Sequence, residues 1–466
     1  MTEQDTLLSP EQVFSRLDIP VGAQQLVVGY SGGLDSHVLL HLLSRYAFDH
    51  LPSIRVLAIH VNHGLNSNAR NWAEHCRGVC EQLGVGYHLV ELDARAPQGE
   101  SQEAWARQLR YEALVRFIGV DDVLFTAHHQ DDMAETLLIQ LFRGAGPAGL
   151  AAMPMQARFG AGRHYRPLLA CPRAGLLRYA QEYKLVWIED DSNQDPRYDR
   201  NLIRNTILPG IRQRWPGITQ TLYRAARHQA DASSLLDDLA DIDLKTCRSG
   251  VDTRLSVSQL LGMSSRARAA NTLRRWIRLL GFPVPNERQL NQIFSGVLGA
   301  GPDATPCVSW EGTELRRYRD SLFITAPLPP PPDPDHVTDW DLNKSCKLSL
   351  GCLTATRTRG EGIRTSQCEN DTLRIRFRQG NETLVLAGHH HTLRKLCQQY
   401  AIPSCYRDHM PLLYIGDSLV CVPGIAIAEE YRARGEEYGW QVDWSESVNI
   451  HLQYTVNYPG PDTLDV

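Results

Sequence analysis

A chain of 466 residues, 42% hydrophobic and 22% charged, has the composition of a multidomain globular protein, which excludes a disordered or low-complexity polymer. The net charge of −5 conceals an imbalance, because only five of the 48 basic residues are lysine (Lys184, Lys245, Lys344, Lys347 and Lys395) and arginine, the planar phosphate-reading cation, supplies the rest. No apolar run approaches the ~18 residues of a membrane span, Met-Thr-Glu-Gln-Asp is no basic signal-peptide start, and eleven cysteines without a C-x-x-C pair argue against a disulfide framework or thiolate zinc site, so a cytoplasmic protein is expected.

From about residue 24 to 187, short β-branched runs alternate with helical patterns. Gln25–Tyr30, Arg55–His60, Tyr87–Glu91 and Val123–Ala127 read as buried parallel strands. Segments near 36–46, 68–83 and 101–117 have helical spacing, with Ser101 as an N-cap and Cys76 and Cys80 as reduced packing residues. The recurrence predicts a doubly wound parallel α/β sheet over residues 1–215. A mainly helical domain is expected over 216–327, with arginine-studded helices at 218–240, 264–280 and 286–298 and a closing hairpin of Cys307–Trp310 with Leu322–Thr325. The proline run in 328–336 reads as a stiff spacer. A small α+β domain with one helix near 391–400 fills 337–466.

The strongest chemical signal is Ser31-Gly-Gly-Leu-Asp-Ser36, set where the first strand ends and its helix begins. There the carboxyl edge of a parallel sheet meets the positive end of a helix, a natural anion site. Gly32 and Gly33 let the backbone approach phosphate oxygens, while Ser31, Leu34, Asp35 and Ser36 supply hydroxyls, amides and a carboxylate. The competing reading is a glycine turn with Asp35 only capping the helix. With Lys184 the first lysine, a Walker-type kinase or GTPase is excluded.

The hexapeptide resembles the signature of the PP-loop ATP pyrophosphatases, which split ATP between the α and β phosphates and adenylate a substrate oxygen. Within that superfamily His60-Val-Asn-His-Gly-Leu65, Ser101–Tyr111, His128-His-Gln-Asp-Asp-Met-Ala-Glu-Thr136, Arg143-Gly-Ala-Gly146, Asp191-Ser-Asn193 and Tyr198–Arg204 resemble the tRNA(Ile)-lysidine synthetases. Arg376–Gly380, Leu393–Lys395, Ile402-Pro403, Met410–Leu413 and Ile415–Asp417 resemble that family's last domain. The resemblance implies ligation of free lysine to the wobble cytidine of the CAU anticodon of isoleucine tRNA. An adenylated cytidine would form with release of pyrophosphate, and the lysine ε-amine would then displace AMP from a splayed, single-stranded base.

On that chemistry ATP and Mg²⁺ are the expected cofactors, with Asp35 and Asp132 on the metal, Glu135 on the lysine amine and His128 as a proton acceptor. A zinc site from His128, His129 and Asp132 is the alternative. Glu103, Arg107 and Arg110 share a helix face, with Arg110 the phosphate contact unless the face is merely solvated. Arg200, Arg204, Arg212, Arg214, Arg224 and Arg227, then Arg266, Arg268, Arg274, Arg275 and Arg278, with Trp215 and Trp276 nearby, form stripes suited to a tRNA backbone, solvated helix faces being the competing reading.

Asn66, Asn381 and Ser404-Cys405 depart from the family pattern, and His389–His391 reads as surface. A PP-loop tRNA sulfur transferase is the nearest rival, disfavoured by the missing C-x-x-C; a nucleotide-binding module with a degenerate site is disfavoured by the presence of Asp35, Asp132 and Glu135. No membrane partner is expected, and a homodimer is left open.

Overall fold

The computed structural model describes residues 7–64, 68–97, 99, 102–190, 195, 197–248, 254–301, 304–370 and 372–446. Leu65, Asn66, Ser101 and Asp191-Ser-Asn193 lie outside the described residues, as does the Glu103 side chain. The chain divides into two compact units, residues 1–235 and 236–466.

In the first unit, strands β1 (Gln25–Gly29), β2 (Arg55–Asn62), β3 (Gly86–Glu91), β4 (Val123–Phe125), β5 (Gln156–Phe159) and β6 (Gly162–Tyr165) form one sheet in the order β3-β2-β1-β4-β6-β5. All pairings are parallel except β5 with β6. The helices are α1 (Pro10–Phe14), α2 (Leu34–His50), α3 (Ala69–Gln82), α4 (Gln102–Val115), α5 (Gln130–Phe142), α6 (Pro147–Leu150), α7 (Arg173–Glu182), α8 (Asp199–Leu202), α9 (Leu208–Arg214) and α10 (Ile218–Cys247), the last crossing into the second unit.

Alternation along β1 explains why helices cover both faces. Leu26 and Val28 join Leu39, Leu42 and Leu43 of α2, Cys76 of α3 and Leu176 of α7 in one core. Val27 turns the other way, to Leu57 and Ile59 of β2, Leu124 of β4 and Leu114 of α4. The strand order reverses between β1, which leads to β2, and β4 on its other side, so the crevice at their carboxyl ends is the switch point where such sheets bind ligands. The expected strands and helices of this unit are found; β5, β6 and α7 escaped notice because each is short or only weakly periodic.

In the second unit, the helix Arg266–Leu279 packs Leu273, Trp276 and Ile277 into a core with Leu255, Leu290 and Ile293. The expected hairpin is corrected: Cys307–Trp310 and Ser321–Thr325 do not pair with each other, because Thr313–Tyr318 runs between them and bonds to both. Its Arg316 and Arg317 disguise the period-2 pattern; Arg317 stays in place by donating to the carbonyls of Leu298 and Ala300. Residues 327–333 form neither helix nor strand, and Leu328 lies against a core with Phe323, Leu350 and Leu384. Beyond them lie a five-stranded, a four-stranded and a two-stranded antiparallel sheet, and the helix Leu393–Gln399 packs Leu393, Leu396 and Cys397 against Leu384, Leu412 and Val422.

Candidate active site

The Gly-rich turn leaves β1 and enters α2 with Gly33 at the N-cap and no side-chain cap, so the first helical amides are free to face an anion. Gly32 adopts φ +82°, and a Cβ there would meet Ile188 Cδ1 at 2.5 Å and Cys76 Sγ at 2.8 Å. Both the conformation and the contact require glycine. The turn is braced from within: Ser36 Oγ donates to the Gly33 carbonyl at 3.0 Å, accepts the Ser31 amide at 3.2 Å and meets Ser31 Oγ at 3.0 Å. From outside, the Ile188 amide donates to the Gly32 carbonyl at 2.9 Å.

Asp35, in the first turn of α2, meets the loop that follows β4. His129 caps α5, and its amide donates to Asp132 Oδ2 at 3.0 Å. Its Nε2 lies 3.5 Å from Asp35 Oδ2 and 3.5 Å from Asp132 Oδ2, so one imidazole links the two carboxylates. Burial opposes charging of His129, yet the carboxylates of Asp132, Asp35 and Asp131 outweigh it and raise its pKa.

Arg204 extends the network from a π-helical stretch, Ile203–Ile207, between α8 and α9. Its Nε donates to Glu135 Oε1 at 2.7 Å and its Nη2 to Glu135 Oε2 and Asp132 Oδ1, both at 2.9 Å. Arg200 Nε stands 3.6 Å from Glu135, and its Nη2 donates to Thr136 at 2.9 Å. The Glu135 side chain is only 1% exposed. Burial pushes its pKa up against the pull of Arg204, whereas at Asp132 burial is outweighed by His129, His128 and Arg204 and the pKa falls. Nearby, Arg212 pairs with Asp131, whose other oxygen accepts the Arg173 amide at 3.0 Å.

His128 belongs to a separate chain of hydrogen bonds. Its Nδ1 is 2.8 Å from Thr126 Oγ1, Thr126 Oγ1 is 2.8 Å from His164 Nε2, and His164 Nδ1 is 3.1 Å from Arg166 Nη2. Burial pushes the His128 pKa down to about 3, Asp132 opposing and Arg107, Arg166 and Arg200 assisting. That shift weakens its expected part as proton acceptor.

The residues fit a divalent cation at Asp35. Its Oδ1 is buried without a hydrogen bond, Arg173 Nε standing 4.0 Å off, which is the condition of a carboxylate oxygen awaiting a cation. The oxygens of Asp132 are engaged by Arg204 and the His129 amide. Among the described residues no group of three His, Cys, Asp or Glu side chains is placed to hold a metal ion, so the zinc alternative lacks its ligand set.

Arg110 is exposed and donates to His63 Nε2 at 3.2 Å, placing it beside the carboxyl end of β2. The arginine stripes need correction. Arg200, Arg204 and Arg212 are held in the carboxylate network, Arg268 pairs with Asp243, Arg275 with Asp237 and Asp241, and Arg278 with Asp237. Trp276 is fully buried and offers no aromatic face, while Trp215 is 61% exposed. Arg214, Arg224 and Arg227 remain exposed. Sequence reading missed Thr126, His164, Arg166 and Arg173, which carry no motif spacing and come together only through the pairing of β4 with β6 and the return of α7.

Comparison with known proteins covers most of the chain. A PP-loop domain profile matches residues 8–211, a TilS substrate binding domain profile 255–323, and a TilS substrate C-terminal domain profile 373–444. The tRNA(Ile)-lysidine synthase of Coxiella burnetii is 39% identical over 94% of this chain and 97% of its own length. That of Methylococcus capsulatus is 39% identical over 90% of this chain and 95% of its own.

Proposed function

This chain belongs to the tRNA(Ile)-lysidine synthase family, and we infer that it joins free lysine to the wobble cytidine of the CAU anticodon of isoleucine tRNA at the expense of ATP. Similarity along nearly the whole chain carries the reading. No helix among the described residues is long and apolar enough to cross a membrane; the reaction draws on ATP, tRNA and lysine together, which is the ground for placing it in the cytoplasm.

The uncapped start of α2, from Ser31 to Ser36, receives the ATP phosphates through backbone amides and the paired serine hydroxyls. Asp35, with Asp132 as its neighbour, would hold Mg²⁺, which when bound would neutralise charge on the departing pyrophosphate. The cytosine ring oxygen attacks the α-phosphorus, pyrophosphate leaves, and the adenylated ring carbon becomes open to an amine. Arg110 of α4, beside the carboxyl end of β2, contacts a phosphate. Glu135 receives the lysine ammonium, which then competes with the Arg204 fork for the same two oxygens. A substrate cation that displaces an internal one leaves no buried carboxylate unpaired at either stage.

Chemistry is assigned to residues 1–215, with 216–327 and 337–466 gripping tRNA on either side of the proline-rich 328–336; a homodimer stays among the arrangements this permits. The test is pyrophosphate release from ATP by the full chain. Release that requires the isoleucine tRNA, with labelled AMP trapped on that tRNA when lysine is withheld, is expected. Release indifferent to tRNA refutes the reading.

A further inference from the structure

We infer that Arg166, acting through His164 and Thr126, locks His128 as the tautomer protonated on Nε2, so that His128 serves the site as a hydrogen-bond donor and not as a base.

The polarity of the chain follows from what each group is able to donate. An arginine guanidinium has donors only, so the 3.1 Å contact from Arg166 Nη2 makes His164 Nδ1 an acceptor. A neutral His164 then carries its proton on Nε2 and donates it to Thr126 Oγ1 at 2.8 Å. The threonine hydroxyl has one proton of its own and spends it on the remaining partner, His128 Nδ1, at 2.8 Å. His128 Nδ1 is thereby an acceptor, and the ring proton sits on Nε2, which makes no hydrogen bond among the described residues. Burial disfavours the imidazolium at both histidines, assisted at His128 by Arg107, Arg166 and Arg200 against the pull of Asp132, and at His164 by Arg166 and Arg107.

The arrangement is built in and not incidental. Arg166 itself is buried and anchored by donating to the Pro154 carbonyl at 2.8 Å. His164 is the middle residue of a β4–β6 register pair, opposite Leu124, so the relay is fixed by the sheet itself. Thr126 follows β4 and His128 lies two residues on, at the carboxyl edge that also holds Asp35 and Asp132. A donor on that edge is suited to the negative charge that accumulates on phosphate oxygens during adenylation. Thr126, His164 and Arg166 are positioning residues, acting on the reaction only through His128.

The donor role rests on the lysidine-forming reading of the site, but the tautomer does not, and the two are measured apart. In full-length protein labelled with ¹⁵N-histidine, long-range ¹H–¹⁵N spectra at neutral pH should show His128 with Nδ1 unprotonated and Nε2 protonated. Thr126→Val, which removes the hydroxyl while nearly keeping the shape, should abolish that single pattern. A wild-type His128 protonated on Nδ1, or on both nitrogens, overturns the lock. For the role, His128→Gln keeps an N–H donor near the Nε2 position and removes the base. Lysidine formation by His128→Gln should stay within about tenfold of wild type while His128→Ala loses ten- to a hundredfold more. Equal loss in the two variants overturns the donor. A wild-type protein that makes no lysidine refutes the reading of the site and leaves the spectrum to decide the tautomer.

Discussion

At the scale of single residues, the site is a set of carboxylates held at different depths, and each depth predicts a different phenotype. Asp35 is partly open and keeps one oxygen without a hydrogen bond. Asp35→Asn preserves its size and removes its charge, so pyrophosphate release should collapse while the circular dichroism spectrum and Tm hold; an active variant contradicts the metal assignment. Asp132 and Glu135 sit one helical turn apart on Arg204 and divide the two half-reactions. Asp132→Asn should block pyrophosphate release. Glu135→Gln should raise the lysine requirement about ten- to a hundredfold, the cost of one hydrogen-bonded charge contact, and still trap labelled AMP on tRNA without lysine. The opposite pattern of trapping reverses the two roles. Gly32→Ala imposes a Cβ on a left-handed backbone already in contact with Ile188 and Cys76, which should cost about 1–3 kcal/mol of stability, read as a lowered denaturation midpoint, together with ATP affinity. The carboxylates Asp35, Asp132 and Glu135 were legible because they stand at fixed offsets in two motifs, whereas Arg204 and Arg212, read as part of a backbone-binding stripe, join them only through the fold. Arg166, His164 and Thr126 were not, since a relay across paired strands leaves no trace in linear spacing.

At the scale of elements, the helices of the second unit show why charge patterns mislead. Arg268, Arg275 and Arg278 of the helix Arg266–Leu279 are spaced at seven and three residues, which sets them along one helix face as a phosphate-binding stripe would be. They meet Asp237, Asp241 and Asp243 of α10, and a stripe of aspartates on a partner helix is invisible until the two helices are known to pack. Hydrogen bonds from Arg268 outweigh the burial of Asp243 and hold its pKa below the ordinary aspartate range. A depressed native pKa stabilises the fold above the unfolded value and loses that contribution as pH falls through the native one. Unfolding monitored below about pH 4 should therefore show Arg268→Ala with a shallower acid dependence than wild type, and a lower Tm at neutral pH, with tRNA affinity unchanged. A loss of affinity without loss of stability would return Arg268 to the nucleic-acid surface. The hairpin expectation failed for a similar reason: Thr313–Tyr318 hides two arginines in a strand because Arg317 reaches the carbonyls of a neighbouring helix end and Arg316 pairs with Glu314 on its own strand.

At the scale of the whole molecule, the strand–helix alternation and the position of the Gly-rich turn make the architecture of the first unit legible in the sequence. The second unit was harder, because its sheets are assembled from strands of two to nine residues that pair across long separations. The proline-rich stretch also carries Leu328 onto a core shared by Phe323 and Leu350, so truncation near Ala326 would strip packing as well as phosphate contacts. Charge substitution in the intact chain is the cleaner probe of tRNA binding. Arg224→Ala and Arg227→Ala, which touch exposed cations of α10, should each weaken binding and reduce the slope of log affinity against log salt by about one. Unchanged slopes would move the tRNA footprint elsewhere.

Activation of a cytidine for attack by lysine in the PP-loop crevice is read out by mass analysis of nucleosides from isoleucine tRNA bearing the CAU anticodon, incubated with the full chain, ATP, Mg²⁺ and isotopically labelled lysine. Labelled lysidine in place of the wobble cytidine, with AMP and pyrophosphate released in equal amounts, is the predicted result; an unaltered cytidine, or a modified nucleoside that lacks the lysine label, contradicts it.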